Sequence, residues 1–451
     1  MHFLLLYCVS LYLILVPQLQ SVEIPLNNKV FTLIDYSHNE TCYEIMPFFM
    51  SMYDTDRARA LISPSNKQTL WFDQQGKGDI NPVWLNLMSN NNLANYSSQV
   101  TLTPQLHQAG FLMQYYKKKG NFFIDIRSAF VQCVTQVKID EIGGGNGAVP
   151  GITNVAQAFE QSSWNYGKMG SVQYKNGIDD IDIIVGLATK IHNTQHSYFV
   201  ASLLIKAPTG TGTQANYIFE PQVGGNHWNL GLGLEYMVSK HDFKCILGSK
   251  WRYITPAWEQ RTFNLTNNGP WSCYLSLQDV YGLPTAPATP GLPGINFLTQ
   301  SSQVLGRNLF NSYMRCKKFV GNNCSFEIDY NYTFQQAETI GNITPLPTGF
   351  GIYALTGSAG GTGGEATAND AHINENQPAL DPINNPKTLT VADLNKQSAA
   401  NGVYASSTIT FAIMREEEPF KYGFGVSNEI GQSPSSLSSW NIWTKFEFLF
   451  E

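Results

Sequence analysis

The end of the chain alternates in two-residue steps. Trp440, Ile442, Phe446, Phe448 and Phe450 interleave with Asn441, Lys445 and Glu447. Period two is the repeat of a β-strand with one apolar and one polar face. A strand of roughly ten such residues meets the length of a tilted membrane crossing. The same rhythm marks segments 42–53, 105–116, 122–138, 178–190, 197–206, 226–239, 242–254, 308–317, 324–335, 404–414, 419–428 and 439–450. The pattern predicts about twelve strands.

The two faces read directly. In 226–239, Trp228, Leu230, Leu232, Leu234, Tyr236 and Val238 oppose Asn229, Gly231, Gly233, Glu235 and Met237. In 242–254, Phe243, Cys245, Leu247, Trp251 and Tyr253 oppose Lys244, Lys250 and Arg252. In 324–335, Phe326, Ile328, Tyr330, Tyr332 and Phe334 oppose Glu327, Asp329, Asn331 and Thr333. On this reading Leu232→Arg faces lipid and blocks membrane assembly, whereas Gly233→Arg faces the interior and is tolerated.

Short links (117–121, 191–196, 240–241, 318–323, 415–418) alternate with long ones (54–104, 139–177, 207–225, 255–307, 336–403, 429–438). Membrane barrels have short turns on one side and long loops on the other. A soluble β-sandwich would bury the apolar faces in a second sheet, but its strands run about five or six residues. Several segments here are longer.

Two segments are weaker. Leu305, Leu309 and Tyr313 also fit a helical face, and 42–53 is apolar on both faces and holds Pro47. Losing both gives ten strands; further strands near 22–36 and 270–280 give fourteen. The fold class expected is all-β, an antiparallel up-and-down transmembrane barrel. Within the long links, 155–164 suits a short helix, while 284–293 and 357–386 resist regular structure.

Residues 1–21 contain an uncharged apolar run and read as a secretory signal. Residues 22–41 form an N-terminal segment, periplasmic or inside the barrel, and 42–451 the barrel. Charged residues are only 14% and aromatics 13%, with net charge −6. Mean hydropathy is −0.18, which fits a barrel because alternation hides apolar content from the average. The acidic balance (pI 5.8) argues against a nucleic-acid partner.

Cys8 leaves with the signal, and six cysteines remain. Export permits disulfides; Cys316 and Cys324 flank a short link and are the candidate pair, while Cys133 and Cys245 read as free thiols. Nucleotide-binding, serine-hydrolase and zinc-protease motifs do not occur. His192 and His196 fall in a turn, and Asp179, Asp180 and Asp182 read as polar lining, so neither group is taken as a metal site. Six Asn-x-Ser/Thr triplets match what an Asn-rich chain yields by chance. No catalytic residue, cofactor or enzymatic activity is expected.

The candidate functional residues are the inward charges: Asp125, Arg127, Asp180, Asp182, Glu235, Lys244, Lys250, Arg252, Glu327, Asp329, Lys445 and Glu447. They are expected to line a pore, with Glu235 and Lys244 placed to pair across a turn.

Signal, alternating strands, link order and Phe-rich end together make the chain resemble a bacterial outer-membrane β-barrel. Ala207-Pro-Thr-Gly, Phe219-Glu-Pro and Gly225-Asn-His-Trp228 running into Asn229-Leu-Gly-Leu-Gly look like the fatty-acid porin type of transporter barrel. That family usually ends on the aromatic itself, whereas Glu451 follows Phe450 here. The resemblance implies membrane lipids, small solutes and the barrel-assembly machinery as partners. It also implies a channel or transporter for small or amphipathic solutes. Rival readings are a plugged structural or adhesive barrel, a hydrolase with a rim site, and a soluble secreted β-protein.

Overall fold

The computed structural model describes residues 41–65, 67–73, 77–87, 96–144, 152–191, 197–279, 292–321, 323–352, 372–374 and 388–450. The expected signal, the segments 22–36 and 357–364, and His192 and His196 lie outside the described residues.

Among the described residues, twelve antiparallel strands close into a barrel. They are β1 (Thr41–Met52), β2 (Ser97–Lys119), β3 (Phe122–Gly143), β4 (Ile181–Lys190), β5 (Ser197–Ala207) and β6 (Asn229–Lys240), followed by β7 (Phe243–Ile254), β8 (Arg307–Val320), β9 (Cys324–Gln335), β10 (Tyr404–Glu417), β11 (Phe420–Gly431) and β12 (Ser439–Phe450). Each pairs with its sequence neighbours, and β1 closes the ring by pairing with β12, Thr41 facing Phe450. All twelve expected segments are barrel strands, including 308–317. Pro47 is accommodated within β1: the pairing with β12 lapses at Met46 and Pro47, where the missing N–H would have been needed.

Apolar side chains face outward on every strand, from Ile45 and Phe49 on β1 to Ile442 and Phe446 on β12. Leu232 is 57% exposed, whereas Asp125, on the inner face of β3, is 0% exposed. An encircling apolar surface of this size is far beyond what water tolerates on a soluble monomer, and a bilayer is the solvent that suits it. Aromatic residues mark both edges. At the short-turn end, Phe420 meets Phe448 and Tyr43 meets Phe450 edge to face at 5.2 and 5.5 Å. At the other end, Phe49 packs on Trp440 at 5.5 Å. Trp440 and Phe450 bound β12, whose tilted length gives an apolar band of roughly 25 Å.

The long links fold together into a cap with its own core. Helix α1 (Thr55–Ile62), capped by the Asp54 carboxylate, contributes Ala58, Leu61 and Ile62. Helix α2 (Val155–Phe159) lies inside the segment expected to form one. Its Phe159 meets Trp164, Trp271 and Tyr274 edge to face, and Trp164 stacks on Tyr274 at 4.9 Å. Their polar ends are satisfied: Trp271 Nε1 donates to Ile62 O at 2.8 Å and Tyr274 Oη to Gly167 O at 2.6 Å. Segment 270–280 belongs to this cap, as a 3-10 turn (Ser272–Tyr274) and a short strand (Ser276–Asp279), rather than to the barrel wall. Among the described residues no helix is long and apolar enough to cross a membrane.

Candidate functional site: the barrel interior and its mouth

Period two sends every second side chain inward, and the interior holds a chain of ion pairs. Arg127 grips Asp125 with two nitrogens, at 2.5 and 3.2 Å, and Gln114 donates to the same carboxylate at 2.8 Å. Arg252 pairs with Asp182 at 2.6 Å. Lys445 lies between Glu44 at 2.9 Å and Glu447 at 2.8 Å, and Lys421 approaches Glu447 at 3.0 Å. Lys317 holds Glu327 at 3.1 Å and also pairs with Glu416; Arg315 stands 3.6 Å from Asp329.

The twelve expected residues therefore all point inward, most of them paired. One expected pair is different. Gly248, not Lys244, lies opposite Glu235, so Glu235 turns to Lys250 at 3.6 Å and to the Tyr313 hydroxyl. Lys244 Nζ instead sits 5.4 Å over the Phe319 ring. The Cys316–Cys324 pair is also corrected: Cys316 faces Ile328, while Cys324 faces Val320. The four-residue offset between Cys324 and Ile328 separates the thiols by about 13 Å along the strand, too far for a disulfide.

Sequence reasoning missed Glu44, Lys206, Arg315, Lys317, Glu416 and Lys421. Arg315 and Lys317 alternate along β8, but Leu309 and Tyr313 share their face and blur the signal. It also missed that much of the inner wall is apolar. Met46 and Phe48 of β1, Leu112 of β2, and Ala129 and Val131 of β3 form one buried cluster; Ile184, Val200, Leu204, Met237 and Ile246 belong to another. From β9 to β12 Ala412, Met414 and Trp443 join the first of these clusters, and beside them Asp329, Asn331, Thr333, Thr408, Thr410, Ser427 and Asn441 are all buried. Asn441, Thr410 and Trp443 Nε1 have no side-chain partner there, nor does Asn331 Oδ1. Buried polar groups are rarely left so, and water is the partner that fits such a row. A cavity of about 10 Å³ lies between Arg315, Asp329, Thr410 and Trp443.

Large residues fill the space over glycines. A Cβ on Gly248 would meet the Tyr313 ring at 2.4 Å, and one on Gly425 the Trp443 ring at 2.2 Å. Gly233 faces inward as expected, but a Cβ there would meet Ser202 Oγ at 2.5 Å. The filled interior leaves no room for the arginine that the sequence suggested Gly233 would accept.

At the mouth, segment 208–228 turns into the barrel. Its Val223 is buried in the inner-wall cluster with Val131 and Cys133. Asp180 fixes this segment: its carboxylate accepts from Gly210 N at 3.0 Å and Gly225 N at 2.8 Å, and pairs with Lys206 at 3.2 Å. Asp179 accepts from Asp180 N, so the acidic trio is engaged in loop anchoring and ion pairing.

A second charged chain joins the cap to the strand ends. His227 Nδ1 lies 2.6 Å from Thr255 O and Nε2 2.7 Å from Glu259. Glu259 pairs with Arg261 at 2.5 Å, and Glu338 bridges Arg261 at 3.1 Å and Arg307 at 3.0 Å. Both neighbours of His227 are acceptors, which favours the doubly protonated ring. Burial alone would lower the His227 pKa, but the Glu259 hydrogen bond and charge outweigh it and raise it. Burial likewise opposes the Glu259 charge, yet Arg261 and His227 bring its pKa down to about 2.

No protein-family model matches the chain, and no curated protein matches it. Among solved structures it is similar to an outer-membrane channel from Pseudomonas putida F1 (7% identity, covering 95% of this chain and 100% of that one, TM-score 0.41). It is also similar to the transport unit of the autotransporter AIDA-I from Escherichia coli (9% identity, 94% and 95%, TM-score 0.32). A third is the Ralstonia pickettii toluene transporter TbuX (7% identity, 92% and 90%, TM-score 0.28). These likenesses are too distant to carry an argument, and the fold rests on the strand register itself.

Proposed function

We propose that this chain is a non-enzymatic outer-membrane channel for small amphipathic solutes, held shut here by its own interior and by segment 208–228. The observation that carries this reading is an inner wall in which apolar clusters and polar groups adjoin. Apolar clusters that run from β1 to β8 and reach Ala412, Met414 and Trp443 lie beside buried charges and a row of buried polar groups on β9 to β12. A solute with one apolar and one polar side finds a partner for each, and a purely polar one does not. Val223 narrows the path at the mouth, and the cap covers it.

A second reading has its own support. Paired charges and seated aromatics fill the interior, as in barrels whose role is carried by their outer surfaces. Swelling of proteoliposomes separates the two. The channel reading predicts faster swelling in an aromatic carboxylate such as benzoate than in a disaccharide. Equal rates with protein-free liposomes for both solutes would favour the filled barrel.

A further inference from the structure

Six cysteines lie in the described residues, and one pair of them faces across a strand boundary. Cys245 on β7 and Cys316 on β8 are register partners, directly opposed on adjacent strands. The strands are far apart in sequence, because the cap insertion 255–306 lies between them.

The geometry of this rung follows from the ladder. Phe319 N donates to Asp242 O at 2.7 Å, one rung beyond the Phe243–Lys318 pair. Directly opposed residues that share such a bond form a hydrogen-bonded pair, and these alternate with non-hydrogen-bonded pairs. Stepping inward, Phe243–Lys318 is non-bonded, Lys244–Lys317 is bonded, and Cys245–Cys316 is again non-bonded. In a non-bonded pair the Cα atoms are about 4.5 Å apart and the side chains lie closest. That separation falls within the range a disulfide spans. Both side chains are on the outer face, with Phe243, Leu247 and Met314, three residues from the β6–β7 turn.

We propose that Cys245 and Cys316 form a cross-strand disulfide when the chain matures in an oxidising compartment. One thiolate attacks the disulfide of an exchange-type oxidant, and the second cysteine resolves the mixed disulfide. The Sγ–Sγ bond forms, the oxidant's S–S bond breaks, and the two protons and two electrons leave on its two thiols. The bond closes a loop that runs along β7, through the cap insertion and back along β8, and ties β7 to β8 near the short-turn end, far from the cap. It requires export of the chain and is independent of whether the barrel conducts.

The test uses the full chain isolated from cell envelopes, with free thiols alkylated at lysis, then digested without reductant and analysed by mass spectrometry. The expected result is one linked peptide pair joining Cys245 to Cys316. Cys245→Ser and Cys316→Ser each remove it, and Cys324→Ser leaves it intact. Alkylation of both cysteines, or a link from Cys316 to Cys324, overturns the proposal. Should a serine variant fail to assemble, refolded wild-type protein exposed to oxidised glutathione gives the same readout. Linkage of this pair alone supports the proposal, and thiols persisting at both positions refute it.

Discussion

Tyr313 reaches over Gly248 to donate its hydroxyl proton to Glu235, so that β6, β7 and β8 are joined by one side chain across a residue that has none. The arrangement depends on the missing Cβ, which would stand 2.4 Å from the ring. Gly248→Ala should therefore destabilise the barrel by about 1–3 kcal/mol through overpacking. Tyr313→Phe keeps the packing but removes a hydrogen bond to a charged group, a loss of about 1.5–3 kcal/mol. Heat-modifiable gel mobility, read as the temperature of barrel melting, checks both. Melting unchanged in Gly248→Ala would mean that Tyr313 does not occupy this place.

Lys445 lies between two buried carboxylates, Glu44 and Glu447. Lys445→Ala leaves both without their shared cation, and breaking a buried pair in this way costs about 3–5 kcal/mol. Lys445→Ala is expected to assemble poorly, and adding Glu44→Gln should restore part of the loss. A double variant no better than the single one would show that Glu44 is not the partner that matters.

Leu232 and Gly233 are neighbours on β6 with opposite surroundings, Leu232 exposed on the outer wall and Gly233 turned inward. Leu232→Arg places a charge against lipid, at a cost of about 2–4 kcal/mol near mid-height, and should reduce membrane assembly. Gly233→Ala, one residue on, crowds the rotatable Ser202 hydroxyl, meets Lys250 and Leu204 at ordinary contact distance, and should assemble normally. Membrane fractionation of the two proteins decides the register, because equal behaviour would contradict it.

The strands were legible because lipid imposes a strict period of two, and all twelve emerged from it. Their ends were less so: β2 and β3 extend to Ser97 and Gly143, where they pair with each other beyond the apolar band. The interior was legible as charges but not as apolar wall. Met46 and Phe48 sit inside a barrel where alternation predicts polar residues, which is why β1 read as apolar on both faces. The cap was illegible, since Trp271, Phe159 and Tyr274 come together from separate loops with no common period. The cysteine partner of Cys316 was hidden for a related reason: β7 and β8 are neighbours in space but separated by the cap insertion.

The junction of His227 and Glu259 predicts a pH dependence of cap stability. The His227 pKa is raised above 6.5, so its contribution is complete below that value and is lost as pH rises through the raised one. Glu259 is lowered from 4.5 to about 2, so its contribution is complete above 4.5 and is lost as pH falls towards 2. Cap protection should therefore be greatest between these two ordinary values and should weaken on either side. Limited proteolysis of cap loops across pH measures it, and His227→Gln should flatten the alkaline limb. An alkaline limb unchanged in that variant would assign the effect to another group.

In the proposed channel the mouth is held shut where Asp180 fixes the segment that carries Val223 into the barrel. Single-channel recording in planar bilayers tests it most directly, comparing wild type with Asp180→Ala and Val223→Gly. Rare, brief steps are expected for wild type, and longer or larger openings for both variants. Inserted, heat-modifiable barrels that stay electrically silent in all three proteins would contradict it, as would a steady wild-type conductance that neither substitution changes.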